Sequence, residues 1–328
     1  MSVRNPSNKS HRPTQSTGVR LLEVDQEFTG QRIDNFLLTQ LKGAPRSLIY
    51  RLLRTGQVRV NKGRKKPHYK LNTGDMVRIP PVALVEREPS QASHADKERL
   101  LNSILYEDKS IIVINKPAGM AVHGGSGISY GVIEAFRQIK PECRFLELVH
   151  RLDKETSGCL MLAKKRSALV SLHEMLRREH GKSMEKTYLA LLRGVWQGKK
   201  KKINAALEVN SRQSGERFVT VSPNGKPATS IFVPQRNFPE AGASLVSIKL
   251  LTGRTHQARV HALSIDQPIA GDDRYGDRAF NRRMKLEGLK RLFLHASRLR
   301  FKHPVDNKEM VIEAPLPEQL ATLLEKLS

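Results

Sequence analysis

The segment His150-Arg151-Leu152-Asp153-Lys154-Glu155-Thr156-Ser157-Gly158 packs seven polar side chains between two apolar runs. His, Arg, Lys and Asp crowded into one loop are the side chains of proton transfer, nucleophilic attack and phosphate contact. An Asp-x-x-Thr taken alone is satisfied as a turn, with Asp153 capping a short helix or bonding the local backbone. Two further segments add to it. Lys186-Thr187-Tyr188-Leu189-Ala190-Leu191 places a Tyr on a predicted strand, where its ring alone would signify core packing. From Leu251 to His261 a strand ends in a Gly253-Arg254 turn, and a basic, predicted helical segment starts at once. Patterns for other chemistries are incomplete. Gly194-x-x-x-Gly198-Lys199 is one residue short of a P-loop, and His173-Glu174-Met175-Leu176-Arg177 lacks the second His of a zincin.

The elements around these segments are short strands and a few helices. Ile111–Asn115 reads as a buried strand, and Lys116–Gly119 as a turn. Leu148–Leu152 and Leu160–Ala163 read as strands around the polar loop, and Ala168 to Leu176 as a helix ending at Gly181. Thr187–Leu192, Phe218–Ser222, Ser230–Val233 and Leu245–Leu251 all have strand-like content. Strands outnumber helices, which predicts an α+β domain from about residue 100 to 328 built on a large, mostly antiparallel sheet.

Ahead of it, residues 20–80 predict a small module. Ile33, Phe36, Leu37 and Leu41 recur at helical spacing, and a second helix follows Pro45 with Ile49, Leu52 and Leu53 as its apolar face. Strands at Val58–Asn61 and Asp75–Ile79 complete it. Between Lys42 and Ile79 eleven basic residues face one acid, Asp75. Arg46, Arg51, Arg54, Arg59, Lys62, Lys65 and Lys66 form the expected phosphate-contacting surface, which positions a nucleic acid without reading its sequence. Residues 81–99, rich in Pro, Ser, Glu and Ala, read as a flexible linker, and residues 1–19 as a basic, disordered tail.

Composition agrees with a nucleic-acid partner. Lys plus Arg number 57 against 32 Asp plus Glu, a net charge of +25 over 328 residues. The longest aliphatic stretches, such as Ile111–Ile114, fall far short of the ~20 residues that span a bilayer, and no apolar run follows the basic start, so neither a membrane span nor a secretory signal is expected. Two cysteines, Cys143 and Cys159, make a disulfide scaffold or cysteine zinc site improbable and fit a reducing cytoplasm.

The string Gly30-Gln31-Arg32-Ile33-Asp34-Asn35-Phe36-Leu37, then Ser47–Gly56, Val58-Arg59-Val60-Asn61 and Gly74-Asp75, resembles an S4 RNA-binding domain of the αL type. The larger domain resembles the pseudouridine synthases of the RluA type in its His-Arg-Leu-Asp-x-x-Thr-Ser-Gly, Lys-x-Tyr-x-Ala and Gly-Arg-Thr-His-Gln strings. The likeness extends to Asn115–Gly119, Val122–Gly127, Gly271–Gly276 and Leu294-His295-Ala296, with Ala258 standing where the family usually has a larger aliphatic residue. The resemblance implies the pseudouridine synthase fold and isomerisation of uridines in 23S ribosomal RNA: the N1–C1′ bond breaks, the base turns, and C5 joins C1′. No cofactor and no metal are implied. Asp153 would be the catalytic carboxylate, as nucleophile at C1′ or as base at C2′. Tyr188 would stack on the uracil and could accept the C5 proton, Arg254 would pair with the carboxylate, and Arg151 would fill the space of the extruded nucleotide. The implied partner is 23S rRNA or its large-subunit precursor, met by a cytoplasmic monomer. Two other readings compete. One is an RNA-binding or assembly protein that keeps the fold without the activity. The other is a different S4-bearing enzyme, whose synthetase signatures or Gly-rich methyltransferase turn are not found.

Overall fold

The computed structural model describes residues 14–15, 18–41, 43–84, 91–125, 128–177, 183–211 and 217–328. Most of the expected tail, Lys42, residues 85–90 of the expected linker, Ser126-Gly127 and the expected helix end at Gly181 lie outside the described residues. The chain divides into two units, Met1–Ser90 and Gln91–Ser328.

In the first unit, strands β1 (Thr14–Gln15) and β2 (Arg20–Glu23) precede helices α1 (Ile33–Gln40) and α2 (Arg46–Arg54). Strands β3 (Arg59–Val60), β4 (Met76–Ile79) and β5 (Ala83–Leu84) follow. A three-stranded sheet runs β2-β4-β3, and β1 pairs with β5, so two residues of the expected tail are in fact strand-paired. Ile33, Phe36 and Leu37 of α1 and Ile49, Leu52 and Leu53 of α2 are buried together with Val60, Val77 and Ile79. Asp75, the single acid of the basic stretch, is buried and used inside: Asn61 Nδ2 donates to it at 2.8 Å and Asn72 N at 2.9 Å. Arg46, Arg51, Arg54, Arg59, Lys62 and Lys66 are exposed and form no ion pair among the described residues, while the half-buried Lys65 lies 4.5 Å over the Tyr69 ring.

The second unit opens with α3 (His94–Leu101), β6 (Ile104–Glu107), β7 (Ile111–Lys116), α4 (Val132–Ile139), β8 (Glu147–Leu148) and β9 (Ser157–Ala163). Helix α5 (Arg166–Arg177), β10 (Met184–Arg193), β11 (Lys201–Asn204), the hairpin β12 (Leu207–Ser211)–β13 (Arg217–Val221), β14 (Thr229–Phe238) and β15 (Ala243–Leu250) come next. Helices α6 (Gln257–Ser264) and α7 (Arg278–Leu286), strands β16 (Leu294–Lys302) and β17 (Glu309–Glu313), and α8 (Glu318–Lys326) complete the chain. Ten strands form one mixed sheet in the order β11-β14-β15-β10-β16-β9-β7-β6, with β17 on β16 and β8 on β9. Among the described strands β9–β16 is the parallel pair; the rest are antiparallel.

The central strands are apolar throughout because both faces are covered. Period-two alternation sends Ile112, Ile114, Leu160 and Leu162 into one core, and Ile111, Val113, Cys159, Met161 and Ala163 into another. Two expectations need correction. Of the expected linker 81–99, residues 83–84 form β5 on β1, and residues 94–99 belong to α3, because Ser93 caps that helix and Ala92 N donates to Gln138 Oε1 of α4 at 3.0 Å. Leu148–Leu152 is not a strand beyond Leu148, because the following backbone turns away into the polar loop.

That loop re-enters the sheet at Gly158, whose φ of +109° and position 2.2 Å from Ala296 O, measured to an added Cβ, leave no room for a side chain. Gly158→Ala is expected to cost about 3 kcal/mol, lowering Tm by roughly 6–12 °C, which calorimetry reads directly.

Candidate active site

The loop from Asp153 to Ser157 is held by groups distant in the chain. Lys116, wholly buried, donates from Nζ to the carbonyls of Pro117 (2.7 Å), Met120 (2.8 Å) and Lys154 (3.1 Å). Burial pushes its pKa down to about 7, while three carbonyls accepting all its hydrogens favour the ammonium. Gly119 N also donates to the Lys154 carbonyl, and Arg291 Nη2 reaches Glu155 O at 3.2 Å and Ser157 Oγ at 2.8 Å. With Ser157 Oγ accepting from Arg291, its hydroxyl donates to His295 Nδ1 at 2.9 Å. His295 Nε2 then faces the Ala314 carbonyl as donor, and burial holds the ring neutral with a pKa near 4. His150 Nε2 accepts from Met161 N at 3.3 Å, and burial lowers its pKa to about 3.

A cleft of about 810 Å³ opens beside this loop, lined by Asp153, Arg151, Tyr188, Arg254, His256 and Arg259 among others. The third polar segment is fixed by Gln257. Its Oε1 accepts from Thr252 Oγ1 (2.7 Å) and Arg254 N (3.0 Å), and its Nε2 donates to Thr229 O (3.0 Å) and Ser230 Oγ (2.9 Å). His261, buried between Ser230 Oγ and the Ala205 carbonyl, ties the next helical turn to the same edge. Ala258 is buried in the large core. Helix α6 is thereby locked with its N-terminal end toward Asp153.

Its guanidinium partner is Arg259. Arg259 Nη1 lies 3.3 Å from Asp153 Oδ2, while Nε and Nη2 grip both oxygens of the buried Asp272 at 2.7 Å each. Arg254, expected in that place, is exposed, and its Nε donates to the Pro227 carbonyl at 3.1 Å. The difference follows from helix geometry. Residue 259 sits in the first turn of α6 with its side chain directed back toward the N-terminus, whereas residue 254 leaves the preceding turn sideways. Burial alone would raise the Asp272 pKa, but the Arg259 hydrogen bonds and charge, with the amides of Tyr275 and Arg274, hold it below the usual carboxylate range. Arg259 in turn is raised: burial opposes its charge, and Asp272 followed by Asp153 outweighs it.

His256 adopts a left-handed backbone (φ 53°, ψ 20°) as the N-cap of α6, with Nε2 3.9 Å from Asp153 Oδ2 and Nδ1 2.9 Å from Tyr275 Oη. Tyr275 Oη also accepts from Val219 N at 2.9 Å. The arrangement that satisfies all three contacts places the ring proton on Nε2, toward the carboxylate, and has the Tyr275 hydroxyl donate to Nδ1. Burial first, with Arg259 adding to it, lowers the His256 pKa and keeps that ring neutral. Tyr188 is 7% exposed, and burial, then Asp153, pushes its phenol pKa up, so it stays protonated. The register between β10 and β16 shifts between Thr187 and Leu189, with the extra residue on β16 opposite Tyr188.

The structure thus brings Asp153, Tyr188, Arg151 and Arg254 to one cleft, but moves the ion pair from Arg254 to Arg259. Arg259, His256, Asp272 and Tyr275 are the residues around Asp153 that the sequence reading left without roles. The signal for Arg259 was its spacing of one helical turn from His256. Among the described residues no group of three His, Cys, Asp or Glu side chains could hold a metal, and no helix is long and apolar enough to cross a membrane.

The larger unit thus presents one carboxylate beside a bidentate-braced arginine and a buried phenol on a mixed sheet. A profile described as RNA pseudouridylate synthase matches residues 110–264, and one described as S4 domain matches residues 31–77. The chain belongs to the RNA pseudouridylate synthase family. Over 309 residues (94% of this chain and 95% of the relative) it is 57% identical to ribosomal large subunit pseudouridine synthase C of Yersinia pestis. It is 55% identical over 318 residues to the protein of that name in Escherichia coli (strain K12), covering 96% and 98% of the two chains. Among solved structures, human RNA pseudouridylate synthase domain containing 4 superposes with a TM-score of 0.56 at 26% identity, covering 71% of this chain and 95% of that one. Human RNA pseudouridylate synthase domain containing 1 gives 0.53 at 28% identity, covering 69% and 94%.

Proposed function

We propose that this chain converts uridines of large-subunit ribosomal RNA to pseudouridine, with Asp153 as the reacting carboxylate. The carrying observation is the position of Asp153. It lines the cleft with its side chain 27% exposed, Oδ2 faces Arg259, and Oδ1 accepts no hydrogen bond from the described residues. That free oxygen serves either of two routes. It attacks C1′ as N1 leaves with the bonding pair, or it takes the C2′ proton so that the C–H electrons expel N1. The uracil then turns. In the first route C5 displaces the carboxylate from C1′, and in the second the carboxylic acid returns the proton to C2′ as C5 bonds to C1′. In both the C5 proton leaves and N1 takes up a proton. Atoms and electrons balance within the substrate, and water must stay out. Arg259 Nη1, 3.3 Å from Oδ2, aims the carboxylate.

Tyr188 supplies a neutral ring for stacking; a phenol kept protonated by burial is a poor acceptor for the C5 proton. Arg151, exposed at the cleft, fits the role of filling the vacated stack. Arg254, exposed on the same rim, is available to an RNA phosphate. The unpaired cations of the first unit engage the RNA backbone, and the enzyme works as a monomer in the cytoplasm. Arg51→Ala with Arg54→Ala is expected to flatten the log–log salt dependence of RNA binding by about 1.4–1.8, with turnover at saturating RNA within twofold. Filter binding and single-turnover rates check both. The function itself is tested by position-resolved pseudouridine mapping of rRNA from cells with and without the gene. Defined large-subunit positions should lose the modification and regain it on complementation, and an unchanged map would refute the reading.

A further inference from the structure

Lys186 stands out among the cations of the second unit. It lies two residues before Tyr188 on β10, hence on the same face of the strand, and it lines the catalytic cleft. No hydrogen bond or ion pair involves its ammonium among the described residues. Its neighbour Glu185, on the opposite face, is already taken by Lys249. Burial lowers the Lys186 pKa, and no carboxylate offsets it. Lys186 is half-buried, and a partly desolvated, uncompensated cation is costly and is normally neutralised by a counter-charge. Two neighbouring features leave space for one. Gly253 comes so near that an added Cβ would sit 3.2 Å from Nζ, so a side chain there would crowd the ammonium. The His150 ring, held neutral by burial, sits close enough to interact electrostatically with Lys186 without offering it a counter-charge.

We propose that Lys186 is the counter-ion for a phosphodiester next to the flipped uridine, bound in the wall formed with Gly253 and His150. A uracil carbonyl could accept from the ammonium but would not neutralise its charge. A phosphate does both, and it is present on either side of every uridine in RNA. With the base on Tyr188, one strand repeat (roughly 7 Å) away, a neighbouring phosphate falls within reach of the ammonium. The site deepens the pseudouridine reading and rests on it.

The test uses the full chain and an rRNA fragment that it modifies, made in three forms: unaltered, or with a neutral methylphosphonate replacing the phosphate 5′ or 3′ of the target uridine. Lys186→Met should lower kcat/KM on the unaltered fragment by about 10- to 100-fold and reduce the salt slope of binding by about 0.7–0.9. Lys186→Arg should recover part of the loss. RNA-free Tm should hold or rise in Lys186→Met, since an unpaired, partly desolvated charge has gone. One methylphosphonate should impair the unaltered enzyme by the same factor and add nothing to Lys186→Met. Independent, multiplying losses at both phosphates would overturn the proposal, as would a lowered Tm with an unchanged salt slope. Absence of pseudouridine formation by the unaltered enzyme would instead defeat the functional reading, and the salt slopes would still decide whether Lys186 neutralises a phosphate.

Discussion

Asp153→Asn should reduce pseudouridine formation by at least about 10³-fold while leaving RNA affinity within about threefold. The substitution keeps size and shape, so the loop, clamped by Lys116 and Arg291 through backbone carbonyls, has no reason to move. What disappears is the anionic oxygen. An amide neither bonds to C1′ as the base departs nor accepts the C2′ proton. The effect therefore belongs in kcat and not in KM, and single-turnover rates at saturating RNA separate the two. Binding depends mainly on cations elsewhere and should persist.

Arg259→Gln comes second, with an expected loss of about 10²–10³-fold, whereas Arg254→Gln should cost no more than about tenfold, in KM. The contrast rests on one geometric fact: Arg259, not Arg254, contacts Asp153. Arg259→Gln also strands Asp272, whose side chain is wholly buried, and breaking such a pair costs about 3–5 kcal/mol of stability. The lower Tm this brings is separable from catalysis. In Arg259→Gln with Asp272→Asn the buried site is neutral on both sides, so Tm should largely recover while the rate does not. Recovery of the rate along with Tm would assign Arg259 a structural role alone.

Much of this architecture was legible because its signals are local. The alternation of Ile111–Ile114 gives a strand covered on two faces, and Ile49, Leu52 and Leu53 behind Pro45 give α2. Asp153 and Tyr188 could be singled out because resemblance carried them together, and both line the cleft. The errors occur where long-range contacts decide. Leu148–Leu152 has strand-like content, yet the backbone beyond it is bound by Lys116, 38 residues from its acceptor, and by Arg291, 136 residues away. Residues 91–99 look like linker by composition, yet an N-cap at Ser93 and a bond to α4 make them part of the catalytic unit. Arg254 and Arg259 share one basic string, and only the start of α6 at Gln257, set by the buried amide of that residue, decides which faces the acid. Asp272 lies 13 residues beyond Arg259, and nothing local in the sequence shows that they meet.

The central claim is that the Asp153 carboxylate performs the chemistry on an extruded uridine, and its most direct measurement is tritium release from C5-labelled uridine in large-subunit rRNA. Unaltered enzyme in excess should release label from the modified positions completely, and Asp153→Asn, shown by melting to be folded and by filter binding to hold the RNA, should release none above background. Release by Asp153→Asn at a rate comparable to the unaltered enzyme would contradict the account.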